Sequence, residues 1–567
     1  MRKALAGHIA EGCLSYARAI DNLKALLKAQ LPFVKSGKRE GYWSKMSNLL
    51  APMTSFALAG EQFNSEFTAS CYNSLLMSKG FLLDSERSMD DIIRKEGNEL
   101  DKARYDTIKT LNSRIKVLKK NKVYNDSIRI ALNSVSRLEG LLMAECTALK
   151  KMTAFLDVDY NKVKTSLGER EVLIDFTDFI TNVGVPNVDV PNVGVRRYAA
   201  YIINKEQQYP HLKQIFDDVE IEKLGINHPS FYYDAYYSEK ILKILWEPLE
   251  EFVNKGDTIY YVPSQLLFQV CLESLPLKDG TLLGDHYNFV RLSSAREITK
   301  RQGTGHLTTN NASAVLYGGL QYDVGVDAMS KNAKRYDISS VPISRGDTLA
   351  RGEAKRELIY SKKEITQIGK ILKQNKFRVT PYSDDKGSAE SLLSLHGNAP
   401  QVLHLATHGF YFTPKQAQEV AYLDGYQDAM SLSGLIMSGG NAGWTNKKLP
   451  EGVSGGVLTA NQIACLDLSN TEMAVLSACQ SGQGKATEEG LYGLQRAFKK
   501  AGVGTMVMTL WNVDDDIAAE FMIKFYEYLA SEECKWDKHK AFNKAKSDMY
   551  KSYKDKPEHW AVFMMLD

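Results

Sequence analysis

Through residues 1–165, apolar side chains return at steps of three and four. Leu14, Ala17, Ile20, Leu23, Leu26 and Leu27 form one such stripe, and Ile108, Leu111, Ile115 and Leu118 form another. This is the period of an amphipathic helix, with charges filling the other positions. Only Pro32 and Pro52 interrupt the stretch, so the pattern predicts long helices, two of them over 102–122 and 123–149, packed as hairpins or a bundle. Near Gly168 the period changes. Short β-type runs at 171–176 and 198–203 flank Val185-Pro186-Asn187-Val188-Asp189-Val190-Pro191-Asn192-Val193, a near-duplicate that reads as a long hairpin loop. A helical stretch follows over 236–253. Strands predicted at 258–262, 289–292, 314–317, 377–380, 402–407, 473–478 and 505–510 then alternate with helices. These helices cover 353–374, a short piece from Ser388, 489–501, 517–530 and 539–550, and an apolar run at 560–566 closes the chain. Apolar strands separated by amphipathic helices predict an α/β domain with a mainly parallel sheet covered on both faces. The chain thus divides into an all-α part, 1–165, and an α/β part, 166–567.

Composition narrows the function classes. Lys+Arg 71 against Asp+Glu 68 leaves a formal charge of +3, which gives no global field for collecting nucleic acid or an anionic membrane. Neither direct nucleic-acid binding nor membrane association is expected. The seven cysteines are dispersed without CxxC pairs. That argues against a disulfide framework and a zinc cluster, and for a reducing compartment. No signal-peptide core and no membrane-length apolar run is present, so the expected location is cytoplasmic.

In a parallel sheet, chemistry collects at the carboxyl ends of the strands. Val402-Leu403-His404-Leu405-Ala406-Thr407 delivers His408-Gly409 there, and Met473-Ala474-Val475-Leu476-Ser477-Ala478 delivers Cys479-Gln480-Ser481-Gly482. Were these strands neighbours, a thiol nucleophile and an imidazole base would emerge side by side, with the N–H groups of Gly409 and Cys479 facing the oxyanion. Taken alone, a strand-end cysteine is more often a small buried hydrophobe. His404 and His408 also have a ligand-like spacing. They sit on a strand pattern with no HExxH glutamate and no third ligand, so no metal is expected and His404 is read as structural, tied to backbone. Gly482-Gln483-Gly484-Lys485 mimics part of a P-loop, but the full GxxxxGK[ST] is absent.

A set of ordered motifs decides between these readings. Leu403-His404-Leu405-Ala406-Thr407-His408-Gly409-Phe410 resembles the histidine motif of the CHAT family, the caspase-HetF-associated-with-TPR peptidases related to caspases and separases. Val475-Leu476-Ser477-Ala478-Cys479-Gln480-Ser481-Gly482-Gln483-Gly484 resembles its cysteine motif. Gly456-Val457-Leu458-Thr459-Ala460, Leu466-Asp467-Leu468, Gly490-Leu491, Ala501-Gly502, Leu510-Trp511-Asn512-Val513-Asp514-Asp515 and the terminal His559-Trp560-Ala561-Val562-Phe563 fall in the family's order. Upstream, Lys79-Gly80-Phe81-Leu82-Leu83 and Ser166-Leu167-Gly168-Glu169 resemble the segment that links TPR repeats to CHAT domains. No clean 34-residue repeat is visible, so 1–165 reads as a degenerate TPR-like regulatory domain. The α/β part then divides into a pseudo-caspase-like piece, 166–310, and a catalytic piece, 311–567.

The resemblance implies a caspase-like cysteine endopeptidase that uses Cys479 and His408, forms a thioester acyl-enzyme and needs no cofactor. By analogy with caspases, the backbone amides of Gly409 and Cys479 form its oxyanion hole. It implies a protein substrate, in a bacterial defence or programmed-death setting, and a regulatory protein or ribonucleoprotein partner at the helical part. Ser477 stands where caspase relatives have Gln, which weakens the case for an aspartate-specific S1 pocket. Asp514-Asp515-Asp516 follows the strand predicted beside the nucleophile. A carboxylate there, Asp515 favoured over Asp514, would select Arg or Lys at P1; the competing reading is a solvated helix N-terminus. The long stretch 411–456, with Ser438-Gly439-Gly440 and Gly443, reads as a mobile functional loop whose Lys447 and Lys448 are candidate processing positions. The alternative function is a catalytically silent caspase-fold scaffold.

Overall fold

The structure is a computed structural model that describes residues 9–34, 36–47, 54, 57, 65–120, 125–180, 194–224, 239–300, 305–336, 338, 341, 352–413, 415–416, 429–450, 453–478, 481–482, 484–487 and 490–567. The helical pattern gives Ile9–Gln30, Ser36–Ser47, Ser65–Ser78, Phe81–Glu96, Glu99–Lys120 and Asn125–Glu145, the last two packed on each other. In the first helix Cys13, Ile20, Leu23 and Leu27 are buried, while Leu14 is 58% exposed. The buried stripe is therefore rotated from the expected one. These helices do not close a bundle of their own. They share a core with one face of a five-stranded sheet, through Leu173, Tyr201, Ile203 and Tyr260.

That sheet contains β1 (Glu171–Ile180), β2 (Arg196–Asn204), β3 (His211–Asp217), β4 (Thr258–Val262) and β5 (Asn288–Arg291) in the order β3-β2-β1-β4-β5. β1 is antiparallel to β2 and parallel to β4. β3 was not anticipated: an edge strand with His211, Lys213 and Gln214 lacks the apolar run that marks buried strands. The Pro/Asn-rich loop at 185–193 lies outside the described residues. The expected helix over 236–253 is described only as Glu239–Leu245, followed by a 3-10 turn, Glu247–Phe252. Pro248 lacks the N–H that would continue the α-helix.

The second sheet contains β6 (Ser313–Leu320), β7 (Arg378–Asp384), β8 (Val402–Ala406), β12 (Met473–Ser477), β15 (Thr505–Thr509) and β16 (Phe563–Leu566), ordered β16-β15-β12-β8-β6-β7. It is parallel except for β16, as the alternation of strands and helices requires. β9 (His408–Tyr411), β10 (Ser433–Ile436) and β11 (Val457–Thr459) form a small antiparallel sheet, and β13 (Gly484–Thr487) pairs with β14 (Gly490–Gly493). The edges of the two large sheets meet where the N–H of Asp567 donates to Arg291 O at 2.9 Å. Three expected elements change. The helix over 353–374 begins at Ser361, because 354–360 is bonded to other parts of the chain. The helix over 489–501 begins at Leu494, because Gly490–Gly493 pairs as β14. The terminal strand begins at Phe563, after the short helix Pro557–Trp560. Among the described residues, no helix is long and apolar enough to cross a membrane.

The helix Phe81–Glu96 is joined to the α/β part by charge. Asp84 accepts from Arg296 Nε at 2.7 Å and Lys300 Nζ at 3.1 Å, Glu86 pairs with Lys500 at 2.9 Å, and Arg94 with Asp467 at 2.8 Å. Burial pushes the Asp84 carboxyl up, but the Arg296 and Lys300 charges outweigh it and hold it below the usual range. Asp84→Ala would leave the guanidinium of Arg296, 1% exposed, buried beside no carboxylate. A loss of about 3–5 kcal/mol is expected, read from chemical denaturation of the full chain. A loss below about 1 kcal/mol, the size of a surface pair, would contradict this.

Candidate active site

β8 and β12 are parallel neighbours whose register pairs Ala406 with Ser477, so both strands end level. Their side chains are apolar and buried throughout, apart from His404 and Ser477. The N–H of Thr407 donates to Ser477 O at 3.3 Å, which carries the alignment one residue further. His408 follows at once. Cys479 and Gln480 lie outside the described residues, but the backbone on either side of them is fixed to the end of β15. Thr509 Oγ1 donates to Ala478 O at 2.7 Å, Thr509 N–H donates to Ser481 Oγ at 3.1 Å, and Gly482 N–H donates to Thr509 O at 2.8 Å.

The His408 ring is held from two sides. Nε2 lies 2.7 Å from Arg356 O. A carbonyl only accepts, so Nε2 carries the proton and Nδ1 keeps its lone pair. The Tyr322 ring lies 4.9 Å away, and its hydroxyl bonds Thr407 Oγ1 at 3.0 Å. Burial pushes the His408 pKa down; the Arg356 carbonyl pulls it up, and the nearby Lys355 charge adds to the lowering.

Gly409 occupies a particular place in the ladder. The N–H of Phe412 donates to Leu432 O at 2.8 Å, continuing the register of β9 with β10. Ladder bonds in an antiparallel pair fall on alternate residues, hence on 412, 410 and 408. The N–H of Gly409 therefore turns away from β10, and β9 is an edge strand of its sheet.

The acidic run separates by environment. Asp514 is exposed and makes no cap bond to the helix Asp515–Leu529. Asp515 is half-buried, and its Oδ2 accepts from the N–H of Tyr360 at 2.7 Å rather than from its own helix. Burial pushes its pKa up, with the Tyr360 N–H pulling the other way. Its charge also reaches Tyr322, the neighbour of His408. Ser477 is 6% exposed and sits within the sheet.

His404 is fully buried, and its partners are side chains rather than the expected backbone: Glu364 Oε1 at 2.8 Å and Tyr526 Oη at 3.3 Å. Its ring and that of His408 serve different neighbours, so their spacing does not make a ligand pair. In the stretch 411–456, residues 414, 417–428 and 451–452 lie outside the described residues, and much of the remainder is packed. Gly439–Gly443 is buried. A Cβ on Gly440 would stand 2.3 Å from Ile436 Cγ2, and one on Gly443 would stand 2.4 Å from Gly455 O. These glycines serve close approach rather than mobility. Lys447 and Lys448 are exposed. Sequence reasoning missed Tyr322, Arg356, Glu364 and Asn441. Tyr322 lies just past the carboxyl end of β6, where the strand-end rule could have found it. Arg356 contributes through its backbone, which leaves no signature in residue type.

No curated protein matches the chain. Among solved structures it is similar to the Arg specific cysteine proteinase gingipain R, at 10% identity over 61% of this chain and 74% of that one, with a TM-score of 0.34. It is also similar to the Saccharomyces cerevisiae separase–securin complex, at 10% identity over 97% of this chain and 40% of that one, with a TM-score of 0.37. The CHAT domain family model matches residues 236–566, a span that includes β8, β9, β12, β15 and the helix Asp515–Leu529. A match over more than half of the chain makes this protein a member of the CHAT domain family.

Proposed function

We propose that the chain is a cysteine endopeptidase in which Cys479 attacks and His408 moves the proton. The observation that carries this reading is the His408 imidazole, anchored through Nε2 on the Arg356 carbonyl at the end of a strand level with the one that leads to Cys479. Nδ1 takes the thiol proton as sulfur attacks the substrate carbonyl carbon. The carbonyl electron pair moves to oxygen, faced by the amides of Gly409 and Cys479. When the C–N bond breaks, His408 gives that proton to the leaving amine and a thioester remains. Water then adds to the thioester with His408 as base. The acid product leaves, and the thiol is restored.

Substrate choice follows from Asp515. Its carboxylate faces Tyr360 instead of capping its helix, and it lies within electrostatic reach of Tyr322. This supports a basic P1 residue, with Asp514 and Ser477 in lesser roles. On the family resemblance alone, the setting is bacterial defence or programmed death, with a protein partner at the helical part. The test is mass-spectrometric mapping of new N-termini in a lysate treated with wild type or with Cys479→Ala. Cleavages after Arg or Lys that vanish with the variant are expected. No Cys479-dependent cleavage, with any candidate partner added, would leave the scaffold reading.

A further inference from the structure

We infer that Asn441 is a positioning residue for His408, an assignment that rests on the peptidase reading above. Both neighbours of the imidazole lead back to this one residue, the Arg356 carbonyl through its side chain and Tyr322 through its backbone. Asn441 lies on the short helix Gly440–Trp444 and is completely buried. Its Oδ1 accepts from the N–H of Lys355 at 2.6 Å, and its Nδ2 donates to Lys355 O at 3.0 Å and to Asp323 Oδ2 at 3.0 Å. The residue after Lys355 supplies the carbonyl on His408 Nε2. The backbone N–H of Asn441 donates to Tyr322 O at 3.1 Å, which fixes the residue whose ring stands beside the imidazole.

The chemistry selects an amide. The N–H of Lys355 only donates, whereas its C=O and the Asp323 carboxylate only accept, so the orientation of the Asn441 side chain is determined by all three partners. It grips both polar groups of one residue, as a neighbouring strand would. The segment 354–360 needs such a grip because it lies outside regular helix or strand and is largely exposed. Lys355 Nζ over the Trp444 ring at 4.7 Å and the Tyr360 N–H on Asp515 hold it further. Without Asn441 the Arg356 carbonyl is free to drift, and with it the direction of Nδ1. Removing outer residues that orient a metal-bound imidazole typically costs about 10–100-fold in function, and misplacing a catalytic group by an ångström costs a similar amount, about 100-fold.

The test uses the full chain with Asn441→Ala and Asn441→Asp. The aspartate keeps the volume and the acceptor for the Lys355 N–H but sets an oxygen against Lys355 O and Asp323 in place of the donor, so the two variants break the grip in different ways and melting temperature separates loss of grip from loss of fold. Two readouts are taken: hydrolysis of a fluorogenic peptide with Arg at P1, and NMR titration of His408 in histidine-labelled protein, assigned by difference from His408→Ala. The expected result is kcat lowered about 10–100-fold with KM nearly unchanged, together with a displaced His408 titration. An unchanged titration, or a parallel loss in kcat and KM that follows melting temperature, would overturn the assignment. If wild type shows no Cys479-dependent hydrolysis while the titration still moves in the variants, the peptidase reading fails and the hold on the imidazole stands.

Discussion

His408→Ala is expected to lower kcat/KM for a peptide with Arg at P1 by about 10⁴-fold, and Cys479→Ala by at least as much. Both variants lose the same proton-coupled attack, so the double variant should lose little more than either alone. The pH dependence tests the assignment further. His408 works as a base only when neutral, and burial lowers its pKa below the ordinary histidine value. Activity should therefore rise with pH through that lowered pKa, with the acid limb below about pH 6.5. Lys355 contributes to the lowering, so Lys355→Met should move the acid limb to higher pH. A limb that stays in place, or one above the ordinary value in wild type, would contradict the environment described for His408.

Asp515→Asn carries the second largest expected effect. Replacing the carboxylate by an amide of the same shape removes the charge proposed to pair with a P1 guanidinium. Truncating one partner of a fully buried charge pair costs about 2–5 kcal/mol, and for the half-buried Asp515 the low end of that range, about 30-fold, is expected. Hydrolysis after Arg should fall by that order, while an uncharged isostere at P1 should change much less. Asp514 is exposed, and Asp514→Asn should have a small effect, within the range of surface charges. The assay is kcat/KM for matched peptides with Arg, citrulline or Asp at P1. Equal turnover of the Asp peptide by wild type would remove the acidic pocket altogether.

The α/β architecture was legible because burial on both faces writes itself into a strand as an unbroken apolar run. The runs 402–407 and 473–478 were read this way, and their strand-end position pointed to His408 and Cys479. What could not be read had no such run or no side-chain signal. β3 is a polar edge, and the strand Gly490–Gly493 looks like the first turn of the helix that follows it. The segment 354–360 keeps a helical period but is held out of the helix by Asn441, His408 and Asp515. Glycines 439, 440 and 443 suggested flexibility, because a sequence does not reveal which backbone comes within a few ångströms. The carbonyl that orients His408 is contributed by the backbone alone. Any residue type at 356 would supply it.

Covalent labelling by an arginyl chloromethyl ketone, with the adduct located by mass spectrometry, tests the dyad most directly. The described cysteines are buried except for the half-buried Cys465, so background labelling should be slow. A single thioether at Cys479 is expected in wild type, formed more slowly as pH falls, and almost none in His408→Ala. Labelling of Cys479 at equal rates with and without His408, or labelling at Cys465 in its place, would contradict it.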